Sequence, residues 1–303
     1  MFPAVTHDDI AVLVNPGAGR GRHRGLLPAV LDRLGAAGHP VRLLPAGSAE
    51  EAGKACRQAV AAGVGTLVTV GGDGTVHLGL QAVAGTGVGF GVVPAGTGND
   101  FAAGTGVPVN PLAAATAVAA AVRAGRSRAV DLARLTGADG EVRWFGAVLA
   151  AGFDAVVNER ANRMRWPRGP RRYDLAILLE LARLRPRRYT LLLDGADRSF
   201  TGVLVAVGNC PSYGGGLRIC PAADPADGLL DVVVAGTLGR SALIALKPRL
   251  RCGTHLSDPR VTSYRAREIT INTEKIIAYA DGERIAALPV TITCVPGAVR
   301  LLI

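Results

Sequence analysis

The first third of the chain alternates short apolar runs with stretches of helical periodicity. Apolar runs at residues 11–14, 66–70 and 89–93 are typical of buried strands. Between them, residues 26–34 place their apolar side chains on one helical face, and residues 48–51 form a capping box that opens a further helix. Strands that alternate with helices in this way predict a parallel, doubly wound α/β sheet.

The pattern changes near residue 131, beyond which strands dominate and many alternate apolar with polar residues. This favours an antiparallel β-sandwich. We therefore predict an N-terminal doubly wound α/β domain over residues 1–130 and a C-terminal antiparallel β-sandwich domain over residues 131–295, with a last strand in residues 296–303 that can return to the first domain. The strands predicted in the second domain are residues 142–150, 189–193, 199–208, 229–235, 268–272 and 287–295.

The composition favours a globular protein of the cytoplasm. The five cysteines are scattered and include no Cys-x-x-Cys pair, so neither a zinc site nor a disulfide framework is expected. The first residues lack a positively charged signal region, and no apolar run approaches the roughly 18 residues that span a bilayer. We expect residues 112–122, the longest apolar candidate, to form a buried helix.

Three glycine-rich loops carry the strongest functional signal. Residues 15–19, 71–75 and 94–100 each follow a predicted strand. Ligands of doubly wound sheets bind beyond the carboxyl ends of the strands, where these loops lie. Because glycine lets backbone N–H groups approach an anion closely, and a helix start adds its positive dipole end, the loops predict a nucleotide-phosphate site.

The spacing within the loops disfavours two common nucleotide-binding classes. Gly17, Gly19 and Gly21 lack the dinucleotide spacing, and the second predicted strand ends at Pro45 instead of the acidic residue that binds ribose. The Walker pattern is absent, since the sole Gly-Lys pair, at residues 53–54, lies within a predicted helix.

Asp73 stands among these glycines, and its carboxylate would repel phosphates unless a cation lay between them. The residue therefore indicates either Mg²⁺ or a proton relay, and the plainer alternative is an N-cap of the following helix. Thr75 can donate its hydroxyl at the same helix start.

The three loops, in this order and spacing, resemble the diacylglycerol kinase catalytic family, which includes soluble bacterial lipid kinases and the sphingosine and ceramide kinases. The resemblance continues through Asp131, Asn209, the segment 224–231 and the triplet Asp281-Gly282-Glu283. It departs at Leu78, where the family usually has Glu. The whole chain is thereby identified as a candidate lipid kinase.

The resemblance implies a set of roles. Asp281 would be the general base on the lipid hydroxyl, with Asp73 also in the catalytic set. Asp224, Asp227 and the backbone carbonyl of Leu229 would hold a structural Mg²⁺. ATP would lie in the cleft between the domains. The residues implied in its binding are Asn15, Pro16, Gly17, Ala18, Gly19, Ser48, Gly71, Gly72, Asp73, Gly74, Thr75, Thr97, Asn99 and Glu283.

An arginine-rich insert at residues 158–188 bears on how such an enzyme would reach its lipid. Ten arginines flank Trp166, Tyr173 and a predicted apolar helix at residues 175–184. Basic residues contribute about 1 kcal/mol each near an anionic bilayer, and Trp favours the headgroup level. The insert therefore predicts peripheral membrane association, although a solvated charged face fits the same pattern.

We thus expect ATP- and Mg²⁺-dependent phosphorylation of a lipid hydroxyl, with diacylglycerol as the family's usual acceptor. A sphingoid base, ceramide or phosphatidylglycerol are alternatives. NAD kinase is a second enzyme hypothesis, because it shares the Gly-Gly-Asp-Gly-Thr turn of residues 71–75. An inactive relative that binds nucleotide or lipid is a third. The excess of 34 basic over 24 acidic residues allows an anionic partner such as a membrane, a nucleic acid or a phosphorylated substrate. We expect a lipid substrate at an anionic membrane surface. We expect no nucleic-acid partner and leave a homodimer open.

Overall fold

The computed structural model describes residues 8–14, 25–164, 166–167 and 171–303. The chain forms two compact units, each assembled from separate stretches of sequence. Unit 1 consists of Met1–Leu132, Pro225–Asp227 and Val295–Ile303, and unit 2 of Ala133–Asp224 and Gly228–Cys294.

Unit 1 alternates strands and helices, as the apolar pattern predicted. Its elements are β1 (Ile10–Val14), α1 (Leu27–Gly35), β2 (Val41–Leu43), α2 (Ala49–Ala61), β3 (Thr66–Gly71), α3 (Asp73–Val83), β4 (Gly89–Pro94), α4 (Asp100–Gly104) and α5 (Pro111–Arg123).

The strands of unit 1 form a parallel sheet in the order β2–β1–β3–β4. The last residues of the chain extend it, because Arg300 and Leu301 pair in parallel with β4. Helices cover both faces. Val68 of β3 belongs to a core shared with α1 and α5, whereas its neighbour Thr69 faces Gly79 of α3. Since successive strand residues point to opposite faces, this confirms the doubly wound arrangement.

Unit 2 is dominated by antiparallel strands. Strands β5 and β16 each run from one unit into the other. The elements from residue 128 onward are β5 (Arg128–Gly137), β6 (Val142–Phe145), β7 (Val148–Ala150), α6 (Phe153–Arg163), α7 (Arg171–Ala182), β8 (Arg187–Leu193), β9 (Ala196–Asp197), β10 (Phe200–Gly208), β11 (Leu230–Gly236), α8 (Arg240–Cys252), β12 (Val261–Ala266), β13 (Glu268–Asn272), β14 (Ile277–Ala280), β15 (Glu283–Ala287) and β16 (Val290–Leu301).

One sheet of unit 2 has the order β15–β14–β7–β10–β11–β12, antiparallel throughout. Strands β8, β13 and the first part of β16 form a second antiparallel group. Buried side chains from both, such as Leu149 and Val205 from the first and Ile269 from the second, share one core. The antiparallel β-sandwich predicted for this half of the chain is therefore confirmed.

The predicted strand at residues 142–150 and the predicted helix at residues 175–184 differ from the elements of the structure. The strand predicted at residues 142–150 is broken at Gly146 and Ala147, between β6 and β7. The helix predicted at residues 175–184 begins four residues earlier, at Arg171, and ends at Ala182.

The predicted buried helix at residues 112–122 is α5, with Ala114, Ala115, Val118 and Ala121 fully enclosed. Within the described ranges, no helix has both the length and the apolar character needed to cross a membrane.

Candidate functional site

Two of the predicted glycine-rich loops lie side by side at the carboxyl edge of the parallel sheet. Strand β3 ends at Gly71, and its register partner on the neighbouring strand is Pro94, the last residue of β4. Helices α3 and α4 begin two and six residues later. The remaining predicted loop, residues 15–19, lies outside the described residues, so its contacts with ATP stay a prediction.

Asp73 joins these two loops. Its Oδ2 accepts a hydrogen bond from the backbone N–H of Asn99 at 2.8 Å, and its Oδ1 accepts one from Asp100 at 2.7 Å. The carboxylate therefore satisfies the first amides of α4, while Gly72 is the N-cap of the helix that Asp73 itself begins. A negative charge at a helix N-terminus is favourable. The geometry gives Asp73 a positioning role, and its predicted catalytic role stays a prediction.

Asn99 shapes the second loop from within. Its backbone is left-handed, with φ 58°, a conformation that Asn tolerates better than most residues. The side-chain Oδ1 accepts from the N–H of Gly96 at 2.9 Å, and Nδ2 donates to the Gly96 carbonyl at 3.2 Å. Thr97, at the loop apex, is exposed.

The glycines of the two loops are in backbone-to-backbone contact. A Cβ on Gly96 would collide with Cα of Gly72, and a Cβ on Gly98 would collide with Oδ2 of Asp73. A Cβ on Gly72 would lie 3.0 Å from Cα of Gly96. Glycine is thus required here by the packing of one loop on the other, in addition to any approach of phosphate.

The side chains of Thr75 and Ser48 both make contacts within unit 1. Thr75 is buried, and its hydroxyl lies where a side chain on Gly71 would be. Ser48 is the N-cap of α2 and accepts a hydrogen bond from the N–H of Glu51 at 3.1 Å, which confirms the predicted cap. The Glu51 carboxylate accepts from the N–H of Gly47. The ATP contacts of Thr75 and Ser48 stay predictions.

In unit 2, Asp281 and Gly282 form the two-residue turn between β14 and β15. Both have positive φ, 53° and 83°, as a type I′ hairpin turn requires. The Asp281 carboxylate accepts hydrogen bonds from the backbone N–H groups of Gly146, at 3.0 Å, and Ala147, at 2.8 Å. Glu283, the first residue of β15, is exposed. Asp281 therefore both forms the hairpin turn and presents a fixed, half-buried carboxylate.

Gly146 and Ala147, which interrupt the strand between β6 and β7, also hydrogen-bond to a second side chain, that of Asn209, through the Gly146 carbonyl. Asn209 is fully buried and donates from Nδ2 to the Gly146 carbonyl at 2.9 Å, while its backbone N–H donates to the Ala147 carbonyl at 2.8 Å. Asn209 and Asp281 thus bind the same two residues, Gly146 and Ala147. Asn209 donates to the carbonyls of this segment, and Asp281 accepts from its amides.

Comparison with known proteins agrees with this geometry. Residues 9–135 match the Diacylglycerol kinase catalytic domain, and residues 147–303 match the YegS C-terminal NAD kinase beta sandwich-like domain. A diacylglycerol kinase of Mycobacterium tuberculosis (strain ATCC 25618 / H37Rv) is 41% identical over 295 residues, which cover 97% of this chain and 94% of that protein. The chain belongs to the diacylglycerol kinase family.

A more distant sequence relative and two solved structures also match this chain. A protein named "Probable lipid kinase YegS-like" from Stenotrophomonas maltophilia (strain K279a) is 32% identical over 80% of this chain and 80% of its own length. A crystal structure from Bacillus anthracis str. Sterne superposes with a TM-score of 0.78 over 100% of this chain and 97% of that chain, at 24% identity. The crystal structure of a diacylglycerol kinase from the same organism gives 0.71 at 22% identity, over 97% and 96%.

The family resemblance of the sequence is therefore confirmed, and membership supports a lipid kinase activity. Leu78, the departure from the family pattern, lies on α3 with its Cδ2 3.5 Å from where a Cβ on Gly53 of α2 would be. The side chain at this position packs between helices.

Asp131, the residue that resembles the family's crossover Asp, is buried in unit 1. Its Oδ1 accepts from the N–H of Gly297 at 2.8 Å, and its own N–H donates to the Pro225 carbonyl at 2.8 Å. It therefore fastens both the last stretch of the chain and the distant segment Pro225–Asp227 to unit 1.

The predicted structural metal loop precedes β11. Asp224 and Asp227 are exposed, and Gly228 has a left-handed backbone, φ 75°. Two carboxylates and the Leu229 carbonyl are hard oxygen donors of the kind Mg²⁺ prefers. Across the described part of the chain, no group of three or more His, Cys, Asp or Glu side chains could hold a metal. The predicted set has two such side chains, so its metal stays a prediction.

Sequence reasoning missed Gly146, Ala147 and Asp154. The signal for the first two was a glycine inside a predicted strand, which often marks a close backbone approach. Asp154, near the start of α6, accepts a hydrogen bond from the Tyr213 hydroxyl at 3.1 Å. Loss of solvent raises the pKa of Asp154 to about 6, against the opposing effect of its hydrogen bonds. No sequence pattern indicated this group.

Proposed function

We propose that the chain transfers the γ-phosphoryl group of ATP to the free hydroxyl of diacylglycerol, giving ADP and phosphatidic acid. The diacylglycerol kinase of M. tuberculosis, 41% identical over nearly the full length of both chains, supports this acceptor. The observation that carries the proposal is the Asp281 carboxylate, fixed at a hairpin turn by the amides of Gly146 and Ala147.

In this reaction the lipid hydroxyl oxygen bonds to the γ-phosphorus as the bond to the β–γ bridging oxygen breaks. The hydroxyl proton passes to the carboxylate of Asp281, and ADP leaves. A positioned general base contributes typically 10²–10⁴-fold to such a step. Because two backbone amides bind its carboxylate, the charged Asp281 side chain is directed to one position before the reaction.

The loops 71–75 and 94–100 supply the anchor for the triphosphate. Phosphate oxygens would meet the backbone of these glycine-rich loops, and Asp73 fixes the start of α4 against the first loop. Preorganised amides of this kind hold phosphate oxygens without reorganisation. Mg²⁺, when bound with ATP, would neutralise charge that develops on the transferring group.

The test is a panel of acceptors with radiolabelled ATP, read by chromatography of the lipid products. We expect labelled phosphatidic acid from diacylglycerol, with less product from ceramide, a sphingoid base, phosphatidylglycerol or NAD. Preference for another lipid would replace the acceptor, labelled NADP would favour NAD kinase, and no labelled product from any acceptor would favour an inactive relative.

We further propose that the protein acts in the cytoplasm and associates peripherally with anionic membranes through its arginine-rich insert. Apolar side chains are exposed there, with 78% of Trp166, 63% of Leu178 and 37% of Leu179 accessible. Several exposed arginines lie along the same segment, among them Arg171, Arg183 and Arg185. Exposed apolar residues beside basic ones suit an anionic lipid surface.

Sedimentation with phosphatidylglycerol vesicles tests this association. Replacing Arg171, Arg183 and Arg185 with Gln should reduce binding, and the loss should shrink above about 0.1 M salt, where the Debye length falls below about 10 Å. The matched control replaces three exposed basic residues of unit 1, Lys54, Arg57 and Arg126, with Gln. If both variants lose vesicle binding equally, the binding depends on the net charge of the protein and not on the insert.

A further inference from the structure

We propose that Glu159 and Tyr279 are positioning residues that set the orientation of the Asp281 carboxylate. Tyr279 lies on β14 two residues before Asp281, and its hydroxyl donates to Oε2 of Glu159 on α6 at 2.7 Å. This inference rests on the proposed function, because it assigns these residues to the general base of that reaction.

The register of the hairpin explains why this contact acts on the turn. Ala280 pairs with Glu283 directly beneath Asp281 and Gly282, and the next pair is Tyr279 with Arg284. Arg284 also reaches Oε2 of Glu159, at 3.4 Å. One carboxylate of α6 therefore binds both strands at the second pair below the turn.

Within the described part of the chain, the outer strand of the hairpin has a hydrogen-bonded neighbour on one side only, so a contact near the turn restrains it further. Strand β15 pairs with β14 alone among the described strands, and a register shift follows Ala278 of β14. On its inner side, β14 pairs with β7 through Tyr279 and Ala280, and the backbone N–H of Asp281 donates to the Val148 carbonyl at 3.2 Å. A bulge bends a strand and increases its local twist, so the tip depends on contacts beyond the ladder.

The hydrogen bonds of the Asp281 side chain change in strength during the reaction. Its two hydrogen bonds from Gly146 and Ala147 are strongest while the carboxylate is charged. A general base takes up a proton in each turnover, and those bonds weaken at that moment. Glu159 and Tyr279 keep their hydrogen bond through the proton transfer, so they hold the turn in place when the Asp281 bonds are weakest.

The charges around Glu159 favour its ionised form. The Tyr279 hydrogen bond, helped by the nearby Arg163 and Arg284, lowers the pKa of Glu159 despite its partial burial. Arg163 contacts Oε1 at 2.6 Å, and Asn162 donates to the Tyr279 hydroxyl at 3.4 Å. Glu159 is therefore a fixed anionic acceptor.

The experiment compares Tyr279→Phe, Glu159→Gln and a control in the full-length enzyme. Tyr279→Phe removes the donor and should lower kcat by up to about 10²-fold, with KM for ATP unchanged. Glu159→Gln keeps an acceptor for Tyr279 and should lower kcat less. The control, Glu180→Gln, breaks another glutamate–arginine bridge of α6, the one between Arg160 and Glu180, which does not touch the hairpin.

Two further readouts separate positioning from plain stability. Hydrogen exchange at the amides of Gly146 and Ala147 should speed up in Tyr279→Phe, since these amides donate to Asp281. In the Asp281→Asn background, Tyr279→Phe should cause no additional loss of rate, because the residue it positions is gone.

Unchanged kcat and unchanged exchange in folded Tyr279→Phe would overturn the inference, as would an equal fall of kcat in Glu180→Gln. An additional loss in the Asp281→Asn background would also contradict it. The proposed function fails separately, if Asp281→Asn alone leaves kcat unaltered, and in that event faster exchange at Gly146 and Ala147 would still establish that Tyr279 positions the turn.

Discussion

Asp73 and Asp281, one in each unit, use their carboxylates in the same way. Each accepts hydrogen bonds from two consecutive backbone amides, those of Asn99 and Asp100 in unit 1 and those of Gly146 and Ala147 in unit 2. Hydrogen bonds from amides to a charged acceptor are stronger than neutral ones and fix direction as well as distance. The two residues differ in what the contacts fix: Asp73 holds the loop of residues 94–100 through its amides, whereas the side chain of Asp281 is itself held in place.

Replacing Asp73 with Ala should weaken ATP binding, because the first amides of α4 lose their acceptor and the loop of residues 96–99 loosens. Calorimetry with Mg-ATP measures the change. Asp32→Ala, on the exposed face of α1, is the control. ATP affinity equal to that of the wild type would remove Asp73 from the phosphate site.

The raised pKa of Asp154 predicts a pH-dependent stability. A carboxyl whose pKa rises from 3.8 to about 6 on folding favours the folded state in its protonated form. Its contribution is complete below pH 3.8 and is lost as pH rises through about 6. The stability of wild type relative to Asp154→Asn should fall across this window in urea titrations, and a constant difference would show that Asp154 has an ordinary pKa.

At the scale of elements, the loop after β3 and the loop after β4 act as one unit. Parallel neighbours in register deliver Gly71 and Pro94 to the same edge, and the packed glycines then bring the two backbones into contact. The sequence predicted the loops and their location, because strand ends and glycine clusters are local signals. The sequence could not predict that Gly96 must lack a side chain because Gly72 packs against it, since this contact forms only when the strands pair.

Gly96→Ala tests this contact. The added methyl would meet Cα of Gly72, which is backbone and cannot move aside cheaply. We expect lower thermal stability together with weaker ATP binding. Gly35→Ala, where a Cβ meets open space, is the matched control and should change neither. A Gly96→Ala variant with wild-type stability and affinity would refute the close packing of the loops.

At the scale of the whole molecule, fold class and family could be predicted from the sequence, because hydrophobic periodicity and motif spacing can be read without knowledge of tertiary contacts. The partners of the motifs could not. Asn209 and Asp281 are 72 positions apart, and both meet at Gly146 only through the order of strands β14, β7 and β10. The same reason hid Tyr279 and Glu159, which carry no motif.

A test at this scale uses the predicted metal loop before β11, which contains Asp224, Asp227 and Leu229. If Mg²⁺ binds the folded chain there, it should raise the melting temperature by mass action. Asp227→Ala should lower the melting temperature and abolish its rise with Mg²⁺. Asp139→Ala, in the exposed β5–β6 turn, is the control. Parallel Mg²⁺ responses in Asp227→Ala and wild type would rule out the metal.

The proposed function depends most on Asp281 as the group that takes the proton of the lipid hydroxyl. The most direct measurement is the single-turnover rate of phosphoryl transfer from ATP to diacylglycerol by Asp281→Asn, beside its affinity for Mg-ATP. Asn has nearly the shape of Asp but cannot act as a base, so the rate should fall by roughly 10²–10⁴-fold while ATP still binds. A rate close to that of the wild type would contradict the account.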